Sequence, residues 1–435
     1  MKNVVTFLFF LCAVSWGFAQ AGHIMQGVGS VNMSMGGAAT GQPLDISGAL
    51  QWNPAAITVF DQDQIRLDVG LFFSSPELSS SIEFPPGSGQ EFSGTTEDDR
   101  GMSPLPALAY KIGSTSRHHF GFSAFGISGF GVTFPESNTN PINLPPNPEG
   151  LGGFGRVESN YSLFQVGAAY AYELSEKFSI GVQPTFNFAS LDLMPNPTAN
   201  PTQEAGYPST DGASTAFGFG AQFGVFYDSG SGFKAGAAYK TTQTFGDFEF
   251  DNVYLDGSTG TNKFNLDYPS ILSFGVGYST GAFDLALDYR LVNYENTDGF
   301  EAAGWTQTAS VAGFGWQNIN IISAGVQYSG IDRLPLRLGY TYSSNPIQDD
   351  LAFFSIPATA IIKNAFQFGL GYEISDRFEI DGVFHFGSSG DATSGPFLNP
   401  EFISPDNPNG VYPGLSEVSY DMTTFMFMFG AQYSW

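Results

Sequence analysis

The chain has 435 residues, of which only 13% are charged and 16% are aromatic, and it contains 54 glycines. Soluble globular proteins carry about twice that charged fraction, and a helical membrane protein would show apolar runs of about 18 residues or more, which are missing beyond the N-terminus. The formal net charge of −26 excludes a nucleic-acid-binding protein, because phosphate contacts need a Lys/Arg surface.

The first twenty residues are typical of a secretory signal peptide. Lys2 supplies a positive start, residues 4–18 are apolar, and residues 17–19 form a small-x-small cleavage site. Cys12 is the only cysteine and lies within this segment. We therefore expect an exported mature chain without thiol or disulfide chemistry.

Residues 21–62 form the next segment, which shows no regular alternation. The segment is rich in Gly, Ala and Met and is too short to build its own core. It needs surrounding walls, and the rest of the chain can supply them. The prediction is a small N-terminal plug, or hatch, inside a barrel formed by residues 63–435.

From residue 64 onward, apolar and polar residues alternate in fourteen separate runs. Alternation with a period of two predicts strands with one apolar face. An even number of strands suits an outer-membrane barrel. The runs are 64–74, 105–112, 119–130, 157–174, 177–193, 213–229, 232–250, 264–279, 282–295, 316–329, 335–344, 361–375, 376–388 and 421–435.

The connections between these runs alternate between long and short. Long loops on the outside and short turns on the periplasmic side are the rule for outer-membrane barrels. A soluble β-sandwich has the same period but does not require this order of loops. The terminal Trp435, on the aromatic face of the last run, also suits such a barrel. We therefore predict an all-β protein, a 14-stranded antiparallel transmembrane β-barrel in the bacterial outer membrane.

The plug residues carry a resemblance to a known family. The pattern runs through Gly29, Gly36-Gly37-Ala38, Asp45, Ser47 and Asn53-Pro54-Ala55, and similarity continues in PSILSFGVGYSTGAFDLALDYRLVNY and PLRLGYTYSSNP. In these residues the chain resembles the FadL/TodX outer-membrane transporters. The resemblance implies passive uptake of long-chain fatty acids or aromatic hydrocarbons. It further implies capture by outer loops and lateral release where the third strand kinks.

The third strand itself offers support for a kink. Gly126, Gly129 and Gly131 interrupt it, and glycine in a strand weakens the ladder and marks bulges or bends. The alternative is that these glycines only make room for plug side chains. Both interpretations remain open at the level of sequence.

Two further groups of residues are candidates for the site. The Asn53-Pro54 step predicts a firm turn, which either holds the plug against inward residues such as Asp284, Asp288 or Arg290 or is a plain turn. Apolar residues in the loops could line a capture groove. These residues are Leu144, Leu151, Phe154, Leu191, Leu193 and Met194.

The sequence motifs give little support for a catalytic site or a metal site. Residues 277–281 fit the GxSxG pattern, but that chemistry needs a strand-to-helix turn and this match lies in a short strand-to-strand turn. The four histidines are wrongly spaced for a zinc site. We expect no enzyme activity, no metal and no cofactor.

Two functions from different classes remain, with a general porin disfavoured because a plug obstructs bulk diffusion. The first is uptake of a hydrophobic small molecule. The alternative is a FadL-like surface shuttle for secreted proteins. The expected partners are the hydrophobic ligand, outer-membrane lipid, lipopolysaccharide and the barrel-assembly machinery, with the protein itself a monomer.

Overall fold

The computed structural model describes residues 22–113, 116–147, 152–202 and 206–435. Fourteen long antiparallel strands form one closed wall. They are β1 (Gln64–Glu83), β2 (Met102–Ile112), β3 (His118–Phe134), β4 (Val157–Glu173), β5 (Phe178–Met194), β6 (Ser214–Asp228), β7 (Phe233–Lys240), β8 (Ser270–Thr280), β9 (Phe283–Asn293), β10 (Ile319–Tyr328), β11 (Leu336–Ser343), β12 (Asn364–Ser375), β13 (Phe378–Ser388) and β14 (Ser416–Ser434). The predicted signal peptide, with Cys12, lies outside the described residues.

The wall closes because β1 pairs with β14 over the whole length of both strands. The register runs from Gln64 opposite Ser434 to Ile82 opposite Ser416. Every other strand pairs with its neighbours in chain order. The predicted 14-stranded antiparallel barrel is thereby confirmed.

The two faces of the wall follow the period of the sequence. On β9, Leu285 and Leu287 are exposed on the outside, whereas Asp288 and Arg290 are buried on the inside. On β12, Phe368 is 47% exposed and its neighbour Gln367 only 2%. Since lipid covers the outer face of such a barrel, the exposed aromatic and aliphatic side chains form the membrane-facing band.

Shorter elements lie outside the barrel strands. The plug contains helices α1 (Ser30–Ser34) and α2 (Ile46–Trp52) and a 3-10 helix (Pro54–Val59). The other 3-10 helices and the short strands belong to the long outer loops. They are Pro141–Asn143, Asp349–Ala358 and Pro400–Phe402, with strands Glu91–Glu97, Ser209–Thr210, Thr244–Phe245, Phe248–Val253, Thr259–Phe264 and Thr393–Gly395. No helix among the described residues is long and apolar enough to cross a membrane.

Two predicted runs extend beyond the strands that the structure shows. In the run 232–250, β7 ends at Lys240 and only Thr244–Phe245 pairs again with β6, while the run 264–279 joins the wall only at Ser270. Between them, Phe248–Val253 and Thr259–Phe264 pair as a separate hairpin in the outer loop. This hairpin has the same period of two as the barrel strands, so periodicity alone could not separate them.

Candidate functional site

The N-terminal segment fills the lumen. Every residue from Gly22 to Ile57 except Leu44 is buried. The segment contacts strands on several sides of the barrel, because α1 packs against β11, β12, β13 and β14 while the 3-10 helix packs against β4, β5 and β6. The plug in the lumen agrees with the predicted architecture, while the domain boundary at residues 62/63 stays a prediction.

The glycine motif of the plug lies at close approaches of backbone to backbone. Gly36 and Gly37 have positive φ angles of 69° and 78°. A Cβ on Gly37 would lie 1.8 Å from the carbonyl oxygen of Gln26, and one on Gly36 would lie 2.7 Å from that of Tyr340 on β11. A side chain at Gly36 would therefore push the plug away from the wall, and one at Gly37 would push two segments of the plug apart. Ala38, next to them, is buried.

A charged network fixes the plug to the wall. Arg66 of β1 lies 2.8 Å from Asp381 of β13, 3.1 Å from Asp68 and 3.4 Å from Asp45 of the plug. Asp45 also caps α2, since its carboxylate accepts a hydrogen bond from Gly48 N. Burial raises the pKa of Asp45 to about 7, although Arg66 opposes the change.

The rest of the plug motif lies close to this network. The backbone N–H and hydroxyl of Ser30 both donate to Asp68, each at 2.8 Å. Gly29 precedes α1, and a Cβ there would lie 2.9 Å from that of Ser47. The Ser47 hydroxyl is buried and has no hydrogen-bond partner among the described residues.

The Asn53-Pro54-Ala55 turn contacts β6 of the wall, whereas the inward residues suggested from the sequence lie on β9. The Asn53 side-chain amide donates to the carbonyl oxygens of Thr40 (2.9 Å) and Val225 of β6 (3.0 Å), and its oxygen accepts from Ala55 N. Pro54 begins the 3-10 helix, where no backbone donor is needed. The turn therefore joins the plug to β6.

The inward residues of β9 hold a neighbouring part of the plug. Asp288 accepts hydrogen bonds from the backbone N–H groups of Ala39 (2.9 Å) and Thr40 (2.8 Å). Arg290 donates to the carbonyl of Gly37 at 2.6 Å, and its guanidinium lies 3.7 Å above the ring of Trp52. The polar lumen thus binds the plug mainly through its backbone.

The wall has a gap between β2 and β3. These strands pair only from Ala107 opposite Phe125 to Ile112 opposite Phe120. Beyond this point, among the described barrel strands, β2 pairs with β1 alone as far as Met102, and β3 pairs with β4 alone as far as Phe134. In the part of the chain that the structure describes, neither strand has a barrel neighbour on the side that faces the gap.

The first plug residues take the place of the missing strand. Met25 N donates to the carbonyl of Ile127 at 3.0 Å, and Gly129 N donates to the carbonyl of His23 at 3.2 Å. The Ser128 hydroxyl also donates to the His23 carbonyl. Part of the free edge of β3 is therefore satisfied from inside the barrel.

The local sequence explains why the ladder stops there. Ile127 is an extra residue in the pairing of β3 with β4, which is a β-bulge. On the other side of the gap, β2 contains Pro104 and Pro106, which have no N–H to donate. Proline within sheets is confined to edges and bulges. Prediction from sequence rested on the glycines of β3, although this Pro-x-Pro pair of β2 is an equally direct signal.

Gly126, Gly129 and Gly131 lie along the gap, and none has a positive φ. Their surroundings differ. A Cβ on Gly126 would meet nothing closer than 3.8 Å, whereas one on Gly131 would lie 1.3 Å from the Arg100 guanidinium. At Gly131, the absence of a side chain makes room for Arg100 instead of a plug residue.

A cavity of about 450 Å³ opens at the gap. Its size falls within the range of small-molecule sites. Leu105 and Ser103 of β2, Phe130 of β3 and Met25 of the plug contribute to its lining. The cavity therefore brings wall and plug together where the ladder is interrupted.

A clasp closes the outer end of the gap. We use this name for Asp98, Asp99 and Arg100, the residues just before β2, with their contacts. Arg100 donates to the carbonyl of Ser159 and to the side chain of Asn160 on β4, both at 2.8 Å. Asp99 N donates to the carbonyl of Thr133 at 2.8 Å, and Asp98 accepts from Thr133 N.

An aromatic chamber lies behind the cavity, with His23 at its centre. Six rings surround the imidazole, at centroid distances from 4.9 Å for Phe300 to 6.4 Å for Phe130. The other four are Tyr161, Tyr268, Tyr294 and Trp316. Burial lowers the pKa of His23 to about 3, so the ring is neutral at neutral pH.

The predicted capture residues are only partly brought together. Phe154 lines a shallow outer groove of about 50 Å³ with Trp305 and Phe353. The remaining described candidates do not line it. Leu144 is half-buried in a loop, Leu191 and Leu193 are buried on β5, and Met194 is exposed at the end of β5, while Leu151 lies outside the described residues.

Comparison with known proteins gives a consistent result. A family model described as outer membrane protein transport protein (OMPP1/FadL/TodX) matches residues 11–393. No curated protein sequence matches the chain.

Solved structures resemble the barrel over nearly its whole length. The Pseudomonas putida toluene transporter TodX has a TM-score of 0.68 at 16% identity, covering 94% of this chain and 99% of its own. A Pseudomonas aeruginosa FadL homologue has a TM-score of 0.68 at 13% identity, covering 95% of this chain and 99% of its own. The Ralstonia pickettii toluene transporter TbuX has a TM-score of 0.64 at 15% identity, covering 94% of this chain and 99% of its own. At these identities the likeness shows the fold.

Proposed function

Because the chain belongs to the OMPP1/FadL/TodX family of outer membrane transport proteins, we propose that it carries hydrophobic small molecules passively across the bacterial outer membrane. The ligand is captured among the outer loops, enters the cavity beside the plug, and leaves sideways through the gap between β2 and β3. The substrate class is aromatic hydrocarbons or long-chain fatty acids. The family and its relatives are transport channels, so the protein is not an enzyme.

One observation carries this proposal, namely the coincidence of the gap with the cavity of about 450 Å³. An apolar molecule gains by passing directly into lipid, because that route keeps its surface out of water. A gap in hydrocarbon normally leaves backbone groups unpaired, at a cost of several kcal/mol for each. Here the plug and the two prolines reduce that cost, so an opening in the wall is sustainable.

The relatives favour small molecules over secreted proteins as cargo. TodX and TbuX are named toluene transporters, and a further similar structure is named CymD, a monoaromatic hydrocarbon channel, with a TM-score of 0.60 at 18% identity. Nothing in these names supports the secretion shuttle. Contacts with lipopolysaccharide and the assembly machinery, and the monomeric state, stay predictions.

The test is to fill the cavity at the gap. Ser103 faces the cavity from β2, so Ser103→Trp places an indole in the proposed exit. We expect uptake of radiolabelled toluene and of oleate by expressing cells to fall at least about tenfold. Ser231→Trp, in an exposed periplasmic turn, is the matched control and should behave as wild type.

The readouts separate binding from release. Extraction of the purified protein followed by mass spectrometry identifies the ligand carried by each variant. Bound hydrophobic ligand with lost uptake supports lateral exit. Unchanged uptake in Ser103→Trp at equal surface abundance would refute the lateral route, and absence of uptake by the wild type would refute the proposed function.

A further inference from the structure

Three polar atoms in the aromatic chamber have no hydrogen-bond partner among the described residues. They are His23 Nε2, the Tyr161 hydroxyl and the Tyr268 hydroxyl. The three side chains are at most 1% exposed. A buried polar group without a partner costs about 1–3 kcal/mol, and most such groups in proteins are satisfied. Three of them in one cluster therefore point to a ligand group that pairs with them.

Nε2 belongs to the imidazole of His23, and the two hydroxyls belong to tyrosine rings that pack against this imidazole. The centroid of His23 lies 6.1 Å from that of Tyr161 and 5.7 Å from that of Tyr268. The other ring nitrogen, Nδ1, is already bonded to the Tyr294 hydroxyl at 2.8 Å. That bond fixes the ring orientation and leaves Nε2 as the available atom.

The chamber adjoins the path of the proposed substrate. Phe130 and Tyr161 stack on each other with centroids 4.9 Å apart, and both line the cavity at the gap. His23 packs against both rings, with centroid distances of 6.4 Å to Phe130 and 6.1 Å to Tyr161. Displacement of the Phe130 or Tyr161 ring therefore opens the chamber to a molecule in the cavity.

The chamber is electrically neutral. Its lining consists of aromatic rings and an imidazole, and the nearby charges are engaged elsewhere. Asp267 accepts from Phe245 N at 2.7 Å, and Arg290 is paired with Asp288 at 2.7 Å. An ionised carboxylate would be desolvated here without a cation to pair with it, which is costly. A neutral hydroxyl carries no such penalty.

Resting on the proposed transport function, we infer that the chamber binds the hydroxyl group of a neutral aromatic alcohol or phenol, between His23 Nε2 and the hydroxyls of Tyr161 and Tyr268. The surrounding rings contact the aromatic part of the ligand. Preferred substrates are thus hydroxylated aromatics, ahead of the parent hydrocarbons and of fatty-acid carboxylates.

The test compares 4-propylphenol, propylbenzene and 4-propylbenzoate by calorimetric titration of the purified protein in detergent. A site built to hydrogen-bond a hydroxyl discriminates against analogues that lack it. We expect 4-propylphenol to bind at least about tenfold more tightly than the other two. The double variant Tyr161→Phe/Tyr268→Phe should lose this preference and keep its affinity for propylbenzene.

Two controls keep the outcome clear. Tyr420→Phe removes a buried hydroxyl that donates to Ala352 O, away from the chamber, and should leave the preference intact. Circular dichroism checks that each variant is folded. Equal binding of 4-propylphenol and propylbenzene, with uptake of both, would overturn the inference and leave transport standing, with an ordered water as the partner of these atoms. Absence of binding and uptake for all three ligands would overturn both.

Discussion

Two junctions between neighbouring strands differ sharply in this barrel. Where the wall closes, β1 and β14 pair without interruption from Gln64–Ser434 to Ile82–Ser416. Between β2 and β3, which follow each other in the chain, pairing stops at Ala107–Phe125. Closing a barrel brings together distant ends of the sequence, yet that junction is complete. The interruption therefore comes from the local sequence of β2 and β3 and not from the difficulty of closure.

The largest expected effect comes from placing a charge in the complete junction. Phe427 of β14 lies opposite Leu71 and is 44% exposed on the lipid face. Phe427→Arg should destabilise the folded barrel by about 2–4 kcal/mol, as expected for Arg near the bilayer midplane. Urea unfolding in lipid vesicles measures the change, with Phe427→Leu as the control. Equal stability of the two variants would place this residue outside the membrane.

The second prediction compares two glycines of the incomplete junction. Gly131→Val should cost about 1–3 kcal/mol, because its Cβ would occupy the position of the Arg100 guanidinium and overpacking is destabilising. Gly126→Val has room and should change stability by less than about 1 kcal/mol. Thermal unfolding of both variants is the measurement. A larger loss for Gly126→Val would mean that strand flexibility, and not space, explains these glycines.

The third prediction concerns the clasp. Arg100→Ala removes two hydrogen bonds from a guanidinium to β4 and should weaken the outer end of the gap by about 1–2 kcal/mol. Arg100→Lys keeps the positive charge but replaces the planar guanidinium, with its several N–H donors, by one ammonium group. We expect its loss of stability to lie between those of wild type and Arg100→Ala. Amide hydrogen exchange at residues 131–134 reports the opening. Unchanged exchange in Arg100→Ala would show that the clasp does not hold the gap.

The last prediction concerns the seating of the plug, and it depends on pH. The pKa of Asp45 is raised from 3.8 to about 7 in the folded protein, so the seated plug binds a proton that a released plug gives up. Stabilisation is complete below about pH 4 and is lost as the pH rises through 7. We expect a loss of about 2–3 kcal/mol between about pH 5 and about pH 8, because one pKa unit corresponds to about 1.4 kcal/mol.

The charge-free control for this effect is Asp45→Asn, which keeps a good N-cap for α2. Its plug should be seated equally well at both pH values. The rate of maleimide labelling at Ser47→Cys, a buried plug position, divided by the rate at the exposed position Ser231→Cys at the same pH, measures release in both backgrounds, because the thiolate that reacts forms more readily at high pH. A pH dependence that survives in Asp45→Asn would assign the titration to another group of the network.

Sequence predicted the architecture well because the physical signal is local. The alternation of Gln367 and Phe368 identifies the two faces without knowledge of any other strand. The same rule extended the runs at 232–250 and 264–279 too far, because the outer hairpin at 248–264 also alternates. Periodicity reports a strand but not the sheet to which the strand belongs.

The candidate site was harder to predict. Pro104 and Pro106 were a readable signal, since proline in a run that looks like a central strand argues against full pairing. His23 offered none. Its surrounding rings come from residues between 130 and 316, and only closure of the wall brings them together. Arg100 likewise acquires its role through contacts with β4, nearly 60 residues further along the chain.

The pairing of plug residues 23–25 with β3 has a consequence for biogenesis. A barrel inserted before its plug is seated would present the free amide and carbonyl groups of β3 to hydrocarbon, where each costs several kcal/mol. The last step of insertion therefore favours a chain whose plug residues 23–25 are already inside the barrel. Plug and wall mature as one cooperative unit, and a plug supplied later as a separate peptide should rescue a truncated barrel poorly.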